Sequence, residues 1–263
     1  MDYYYYEFET STDNANEAKK EVKRTLEVKD AQLYFIKQKE KPNLVKICAA
    51  AESRDHFVNK IKKTDSFNLS SLKVKKSILC DIEDPRIKKY RVVDFRESDE
   101  SRRFKKILFL GKHITEESIE AGFFYLGVKN NPFWLLLSRI YDSEVFAKQE
   151  SADLLFQECQ RLHIGLADVI GSCYCLGSDD SQIINGSEEK NEHLQKLLNE
   201  AELVVYNGKS GYERYKKRFE YSFSKTPEIF VPSSSGACAM SFEDKLKEWN
   251  TQILKGAKGS IRK

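Results

Sequence analysis

The chain has 263 residues, of which 40% are hydrophobic and 12% aromatic, and its formal net charge is +3. A chain of this length and composition can fill the core of one large or two ordinary domains, which excludes an intrinsically disordered protein. No run approaches the roughly 18 consecutive apolar residues that a membrane helix needs, and the N-terminus lacks the basic-then-apolar order of a signal peptide. We therefore expect a folded intracellular protein with no membrane partner.

The six cysteines are spread along the chain, and the close pair Cys173 and Cys175 has no second pair at zinc spacing. Cysteines are often interior, so buried free thiols are the expected state. We predict that the protein binds no metal and needs no cofactor.

The first part of the chain, residues 1–102, is rich in charged residues and contains short alternating apolar runs. Alternation of this kind predicts strands at 32–36, 44–48 and 72–82, and a helical pattern covers 54–63. These elements predict a small α+β domain. Its role is open between a structural part and a DNA-docking accessory, and the charged run 96–103 is expected to be the linker.

From residue 103 to the C-terminus the pattern changes to apolar strands separated by amphipathic helices. Near-continuous apolar runs are typical of strands buried on both faces, and helices between them indicate a parallel sheet. We predict a three-layer α/β/α domain over residues 103–263. Its strands are predicted at 107–110, 164–169, 203–206 and 228–231. Its helices are predicted at 132–141, 151–162, 188–201, 211–219 and 242–254.

Ligands of open parallel sheets bind beyond the carboxyl ends of the strands, so the segments after the predicted strands are candidates for a site. Four such segments are rich in polar residues or glycine: 111–113 leading to 131–134, 168–179, 207–209 and 232–237. Each also has a purely structural interpretation. Asn131 before Pro132 suits a helix N-terminus, an Asn-Gly pair suits a turn, and serines before a helix suit a cap.

Taken in chain order, these segments resemble motifs of the uracil-DNA glycosylase superfamily, nearest its hypoxanthine-DNA glycosylase and mismatch-specific uracil/thymine-DNA glycosylase branches. Residues 131–134, Asn-Pro-Phe-Trp, are similar to an Asn-x-Phe-Trp motif. Residues 165–169 with 177–180 are similar to Gly-Leu-Trp-Asp-Val and Gly-Ser-x-Asp of the hypoxanthine branch. Residues 206–209 match its Phe-Asn-Gly turn, and 231–239 are close to the Pro-Ser-Ser-Ser loop of the thymine branch.

The resemblance implies a monofunctional DNA glycosylase with a short parallel sheet between helical layers. Such an enzyme flips a damaged or modified base out of double-stranded DNA and hydrolyses its N-glycosidic bond, leaving an abasic site. We expect it to act as a monomer in base-excision repair. The bond breaks through an oxocarbenium-like sugar, so the site must place a water and stabilise the departing base.

The resemblance puts the catalytic asparagine at Asn131, and His113 is a second candidate. Five residues are expected to line the base pocket: Gly111, Tyr125, Phe133, Asp168 and Asn207. Tyr125 or Phe133 would stack on the base, although Phe133 and Trp134 also suit a core. The DNA-binding residues are expected to be Ser233, Ser234, Ser235, Gly236, Ala237 and Lys209.

Residues 111–115 depart from the Gly-x-Asn-Pro-Gly motif of the thymine branch, since His113 stands at the Asn and the Pro-Gly is absent. The role of His113 is therefore open: it could contact the base, act as an acid, or be a loop histidine without a role in the chemistry. Two further functions stay open: excision of a bulky modified base of bacteriophage DNA in antiviral defence, and a catalytically inactive member that binds DNA or protein. A nucleotide-binding protein is disfavoured, because residues 208–210 lack the earlier glycine of a phosphate loop.

Overall fold

The structure is a computed structural model. It describes residues 3–11, 15–26, 33–34, 44–50, 54–65, 67–88, 106–175, 183–184, 186–209, 212–222 and 226–259. The predicted linker at 96–103 and the motif at 177–180 lie outside these residues. The chain divides into two compact units: Met1–Leu79 with Tyr174–Glu188, and Cys80–Cys173 with Glu189–Lys263. None of the described helices combines the length and apolar character needed to cross a bilayer.

The first unit is α+β, as predicted. Its main elements are β1 (Tyr3–Thr10), α1 (Ala15–Leu26), β2 (Leu33–Tyr34), β3 (Leu44–Ala50), α2 (Arg54–Lys62) and β4 (Phe67–Lys76). The four strands form an antiparallel sheet of order β2-β3-β1-β4. This order, with its β-α-β-β-α-β sequence of elements, is the split β-α-β arrangement of ferredoxin-like folds.

The core of the first unit lies between this sheet and its two helices. Tyr6 and Phe8 are buried on β1, where side chains of alternate residues share one face. They form one apolar cluster with Val22 of α1 and Ile61 of α2. The sequence prediction missed both β1 and α1.

The remaining elements follow along the chain and belong to the second unit, except for the first two residues of β5 and the last two of β8. The chain first forms β5 (Ile78–Asp81), α3 (Pro85–Lys88), β6 (Ile107–Gly111), α4 (Glu116–Ala121), α5 (Phe133–Tyr141), α6 (Glu144–Lys148) and α7 (Ala152–Leu162). It continues with β7 (Ile164–Asp168), β8 (Ile170–Cys175), β9 (Glu189–Lys190), α8 (Leu194–Glu200), β10 (Leu203–Asn207), α9 (Tyr212–Phe219), β11 (Glu228–Val231) and α10 (Phe242–Gly259).

A parallel four-stranded sheet of order β11-β10-β6-β7 forms the centre of the second unit. Strands β6 and β7 are buried at every position, because helices cover both of their faces. The chain passes through helices between successive strands of this sheet, which is the connection that parallel strands require.

Helices lie on both faces of the parallel sheet. On one face, Phe109 of β6 stacks on Trp249 of α10 with ring centroids 5.8 Å apart. On the other face, Tyr206 of β10 stacks on Phe230 of β11 at 4.6 Å and contacts Tyr212 of α9. The second unit is therefore a three-layer α/β/α domain, as the sequence predicted.

The prediction differs from the structure after β7. Residues expected to form a polar loop after Asp168 instead form β8, which pairs antiparallel with β9. The helix expected from residue 188 begins only at Leu194. Residues 189–190 belong to β9, and Asn191 turns the chain into the helix by accepting a hydrogen bond from the backbone N–H of His193.

Candidate active site

The candidate site lies at the carboxyl edge of the parallel sheet. Gly111 ends β6 and pairs in register with Asp168, which ends β7. Asn207 ends β10 and pairs in register with Val231, which ends β11. Because the four strands are parallel, the segments that follow them emerge at the same edge.

Gly111, Asp168 and Tyr125 meet at this edge. A Cβ atom at residue 111 would lie 2.0 Å from Asp168 Oδ1 and 2.5 Å from the Tyr125 hydroxyl oxygen. Only glycine allows this approach. Asp168 is 2% exposed, and Asn191 Nδ2 donates to its backbone carbonyl at 2.7 Å, which fixes the end of β7. Three predicted base-pocket residues therefore form one cluster.

Tyr125 covers Phe133 in this structure. Its backbone is in the left-handed region, with φ 57°, and its ring stacks on that of Phe133 with centroids 3.9 Å apart. Phe133 is fully buried and has edge contacts with Phe109 and Trp249. Phe133 is thus a core residue, whereas Tyr125, the other predicted stacking residue, is half-buried.

Asn131 precedes Pro132, which is the N-cap residue of α5. Its Oδ1 accepts a hydrogen bond at 3.2 Å from the backbone N–H of Phe133, the first residue of the helix. The side chain is half-buried. Its Nδ2 has no hydrogen-bond partner among the described residues. The structure therefore places Pro132, and not Asn131, at the N-cap, although the Asn131 side chain does bind the first backbone N–H of the helix.

The loop at 232–238 is held at three points. Asn207 Oδ1 accepts from the Ser234 backbone N–H at 2.7 Å, and its Nδ2 donates to Ser234 Oγ at 2.8 Å. Trp249 Nε1 donates to the carbonyl of Pro232 at 2.8 Å. Lys245 Nζ donates to the carbonyl of Ser235 at 2.9 Å. The loop conformation is therefore set before any ligand binds.

These contacts change the roles of two predicted residues. Ser234 is fully buried, and Asn207 binds both its backbone N–H and its hydroxyl, so Ser234 cannot touch a phosphate in this conformation. Asn207 uses its amide to hold the loop, instead of facing a base. Ser233 and Ser235 are half-buried, while Gly236, Ala237 and Lys209 are exposed.

The loop at 232–238, which we call the serine loop, approaches the segment that carries Asn131. A Cβ atom at residue 236 would lie 2.8 Å from the backbone oxygen of Asn130 and 3.1 Å from its Cβ, so glycine permits this contact. Asn131 therefore directly follows a residue that contacts the serine loop, and its hydrogen-bond partner Phe133 carries the ring on which Tyr125 stacks.

His113 is 8% exposed. A ring nitrogen of His113 lies within 4.8 Å of the Cys173 sulfur atom on β8. The structure therefore places the His113 ring beside β8, and its role at the site stays a prediction.

The sequence analysis missed Lys245, Trp249 and Asn191. Each donates a side-chain hydrogen bond to a backbone carbonyl of the site. Lys245 and Trp249 are one helical turn apart on α10 and share its buried face. A lysine on an apolar helical stripe was the signal that could have found Lys245, since lysine is rarely fully buried without a partner.

No family model matches the chain, and no curated protein matches it. Among solved structures, the chain is similar to a candidate uracil DNA glycosylase from Methanosarcina acetivorans. The two are 24% identical with a TM-score of 0.44, and the match covers 58% of this chain and 91% of the other.

Proposed function

We propose that the second unit is a monofunctional DNA glycosylase that excises a damaged or modified base, with Asn131 as its catalytic residue. The observation that carries this proposal is the approach of Gly236 to Asn130. It puts the loop with two half-buried serines next to the residue that precedes the neutral amide of Asn131, and the Tyr125 hydroxyl lies at the end of β6 on the same sheet edge. A glycosylase needs these three elements: a group to place water, a grip on the DNA backbone and a surface for the flipped base.

In this mechanism a water oxygen bonds to the sugar C1′ while the bond from C1′ to the base nitrogen breaks. The bonding electrons leave with the base, and the proton released by the water goes to the base or to solvent. Asn131 Oδ1 uses one acceptor position for Phe133 and has a second for the attacking water. An uncharged amide can orient that water next to the electron-poor sugar without a metal.

The polar cluster at the end of β6 suits the base itself. Tyr125 offers a partly exposed ring for stacking, and the Asp168 carboxylate can accept a hydrogen bond from a base N–H. Ser233 and Ser235 can donate their hydroxyl protons to phosphate oxygens beside the flipped nucleotide. Ser234 and Phe133 are left out of these contacts because both are fully buried.

The test is single-turnover base release from duplexes that carry uracil, hypoxanthine, a thymine mismatch or a phage-type modified cytosine, comparing wild type with Asn131→Ala. Release of one base by the wild type, reduced about 100-fold or more in the variant, would support the proposal and identify the base. Duplex binding without release of any base would favour a catalytically inactive DNA-binding protein. Absence of both would exclude the glycosylase.

A further inference from the structure

Lys245 is a buried lysine on the first turn of α10, and its ammonium is hydrogen-bonded to the backbone of the serine loop at 232–238. It is 3% exposed, and its ammonium donates to the carbonyl of Ser235 at 2.9 Å. No carboxylate lies within 4 Å of this ammonium among the described residues. The neighbouring acid on α10, Asp244, is exposed and instead accepts a hydrogen bond from Ser241 Oγ at 2.7 Å.

A buried ammonium without a counter-charge is costly, because removal from water penalises the charged form. The bond to the Ser235 carbonyl does not explain the charge, since a neutral donor could make the same bond. An ammonium has three donors, and the Ser235 carbonyl uses one of them. The position of Lys245 therefore suits an anion that sits on the loop.

The loop itself offers donors beside that charge. Ser233 Oγ accepts a hydrogen bond from the backbone N–H of Ser235, and Ser235 Oγ accepts one from Ala237, both at 3.2 Å. Each hydroxyl therefore has its own proton left to donate. Two hydroxyl donors in a loop whose backbone binds one ammonium fit a singly charged phosphodiester.

We propose that Lys245 is a positioning residue that neutralises one DNA phosphate held on Ser233 and Ser235. This inference rests on the proposed function, because the phosphate belongs to the DNA strand that carries the flipped nucleotide. The positive charge of Lys245 also attracts the phosphate toward the two serine hydroxyls before they make contact. Lys245 thus contributes to where the strand is gripped, while Asn131 acts on the sugar.

The experiment measures how salt weakens binding of the full chain to a labelled duplex with one tetrahydrofuran abasic-site analogue. Each phosphate neutralised contributes about 0.9 to the slope of log K against log salt concentration. We expect Lys245→Gln to reduce the slope by about 0.9, because glutamine keeps a donor for the Ser235 carbonyl and loses the charge. Lys245→Arg, which keeps the charge, should retain the wild-type slope.

Lys247 gives the matched control, since it is an exposed lysine on the same helix and Lys247→Gln should leave the slope unchanged. A Lys245→Gln protein with weaker binding but the wild-type slope would show that the residue only supports the loop, and would overturn the inference. If Lys245→Gln does not fold, a Lys245→Arg slope lower than that of the wild type overturns it instead. Failure of the wild type to bind any duplex would refute the proposed function itself.

Discussion

Asn207 and Ser234 are joined by two hydrogen bonds, one at 2.7 Å to the Ser234 backbone N–H and one at 2.8 Å from the Asn207 amide to Ser234 Oγ. Asn207 is the last residue of β10, and Ser234 is fully buried in the loop that follows β11. The pair therefore fixes the proposed phosphate-binding loop to the end of β10.

Replacing Asn207 by alanine should loosen this loop. The buried N–H and hydroxyl of Ser234 would lose their partners, and an unsatisfied buried polar group costs about 1–3 kcal/mol. We expect the free energy of unfolding in urea to fall by about 2 kcal/mol and duplex binding to weaken. Asn199→Ala on the exposed face of α8 is the control and should change neither quantity appreciably. Unchanged stability of Asn207→Ala would contradict the role assigned to this pair.

The two roles of Asn131 can be separated by Asn131→Ser. Serine keeps a side-chain oxygen that can accept from the backbone N–H of Phe133, so the free energy of unfolding should change by less than about 0.5 kcal/mol. The water-orienting amide is lost, so single-turnover base release should fall about 100-fold or more. Asn131→Ala should lose both the amide and this acceptor, and about 1 kcal/mol of stability. Normal base release by the serine variant would show that Asn131 serves only to bind the helix backbone.

Much of the second unit could be predicted because β6, β7 and β10 are almost wholly buried and so form continuous apolar runs in the sequence. The strand expected at 228–231 is Glu228–Val231, and the helix expected at 242–254 begins at Phe242. Strand β8 was missed because it follows β7 after one residue. A sharp change of direction between two adjacent strands leaves no break in the apolar pattern.

The site was less predictable because its contacts depend on register and on backbone atoms. The sequence marks Gly111 and Asp168 as strand ends, but only the pairing of β6 with β7 places them side by side. Lys245 was missed for a related reason, since its partner is the backbone carbonyl of Ser235. Every residue has such a carbonyl, so side-chain types cannot identify this one.

Gly111→Ala tests the cluster at the end of β6. The new Cβ would lie 2.0 Å from Asp168 Oδ1, so the carboxylate and the Tyr125 hydroxyl must move. Overpacking of this kind costs about 1–3 kcal/mol, and we expect base release to fall with it. In an Asp168→Ala background the closest atom is gone, so the cost of Gly111→Ala should shrink. An equal cost in both backgrounds, measured by urea unfolding, would show that Asp168 is not the obstacle.

Glu158 should make stability depend on pH. Its carboxylate accepts two hydrogen bonds from Arg161, both at 2.7 Å, and one from Ser143 at 2.5 Å, which ties α7 to the cap of α6. The pKa of Glu158 is lowered, chiefly by the hydrogen bonds from Arg161, against an opposing effect of burial. The unfolded chain therefore takes up a proton at higher pH than the folded protein does. It follows that the stabilisation is complete above the usual glutamate pKa of about 4.3 and is lost as pH falls through the lower folded value.

Glu158→Gln imitates the protonated side chain, so the variant should be less stable than the wild type by about 1–2 kcal/mol at pH 7. The difference should shrink as pH falls below the usual glutamate pKa of about 4.3, because the wild-type protein then begins to lose the stabilisation that the ionised carboxylate provides. Urea unfolding of both proteins from pH 7 to pH 3 measures it. Glu144→Gln is the control: its carboxylate is 87% exposed and contacts Lys148 at 3.2 Å, so it should matter little at any pH. A difference between wild type and Glu158→Gln that stays constant with pH would mean that shape, and not charge, accounts for the contribution of Glu158.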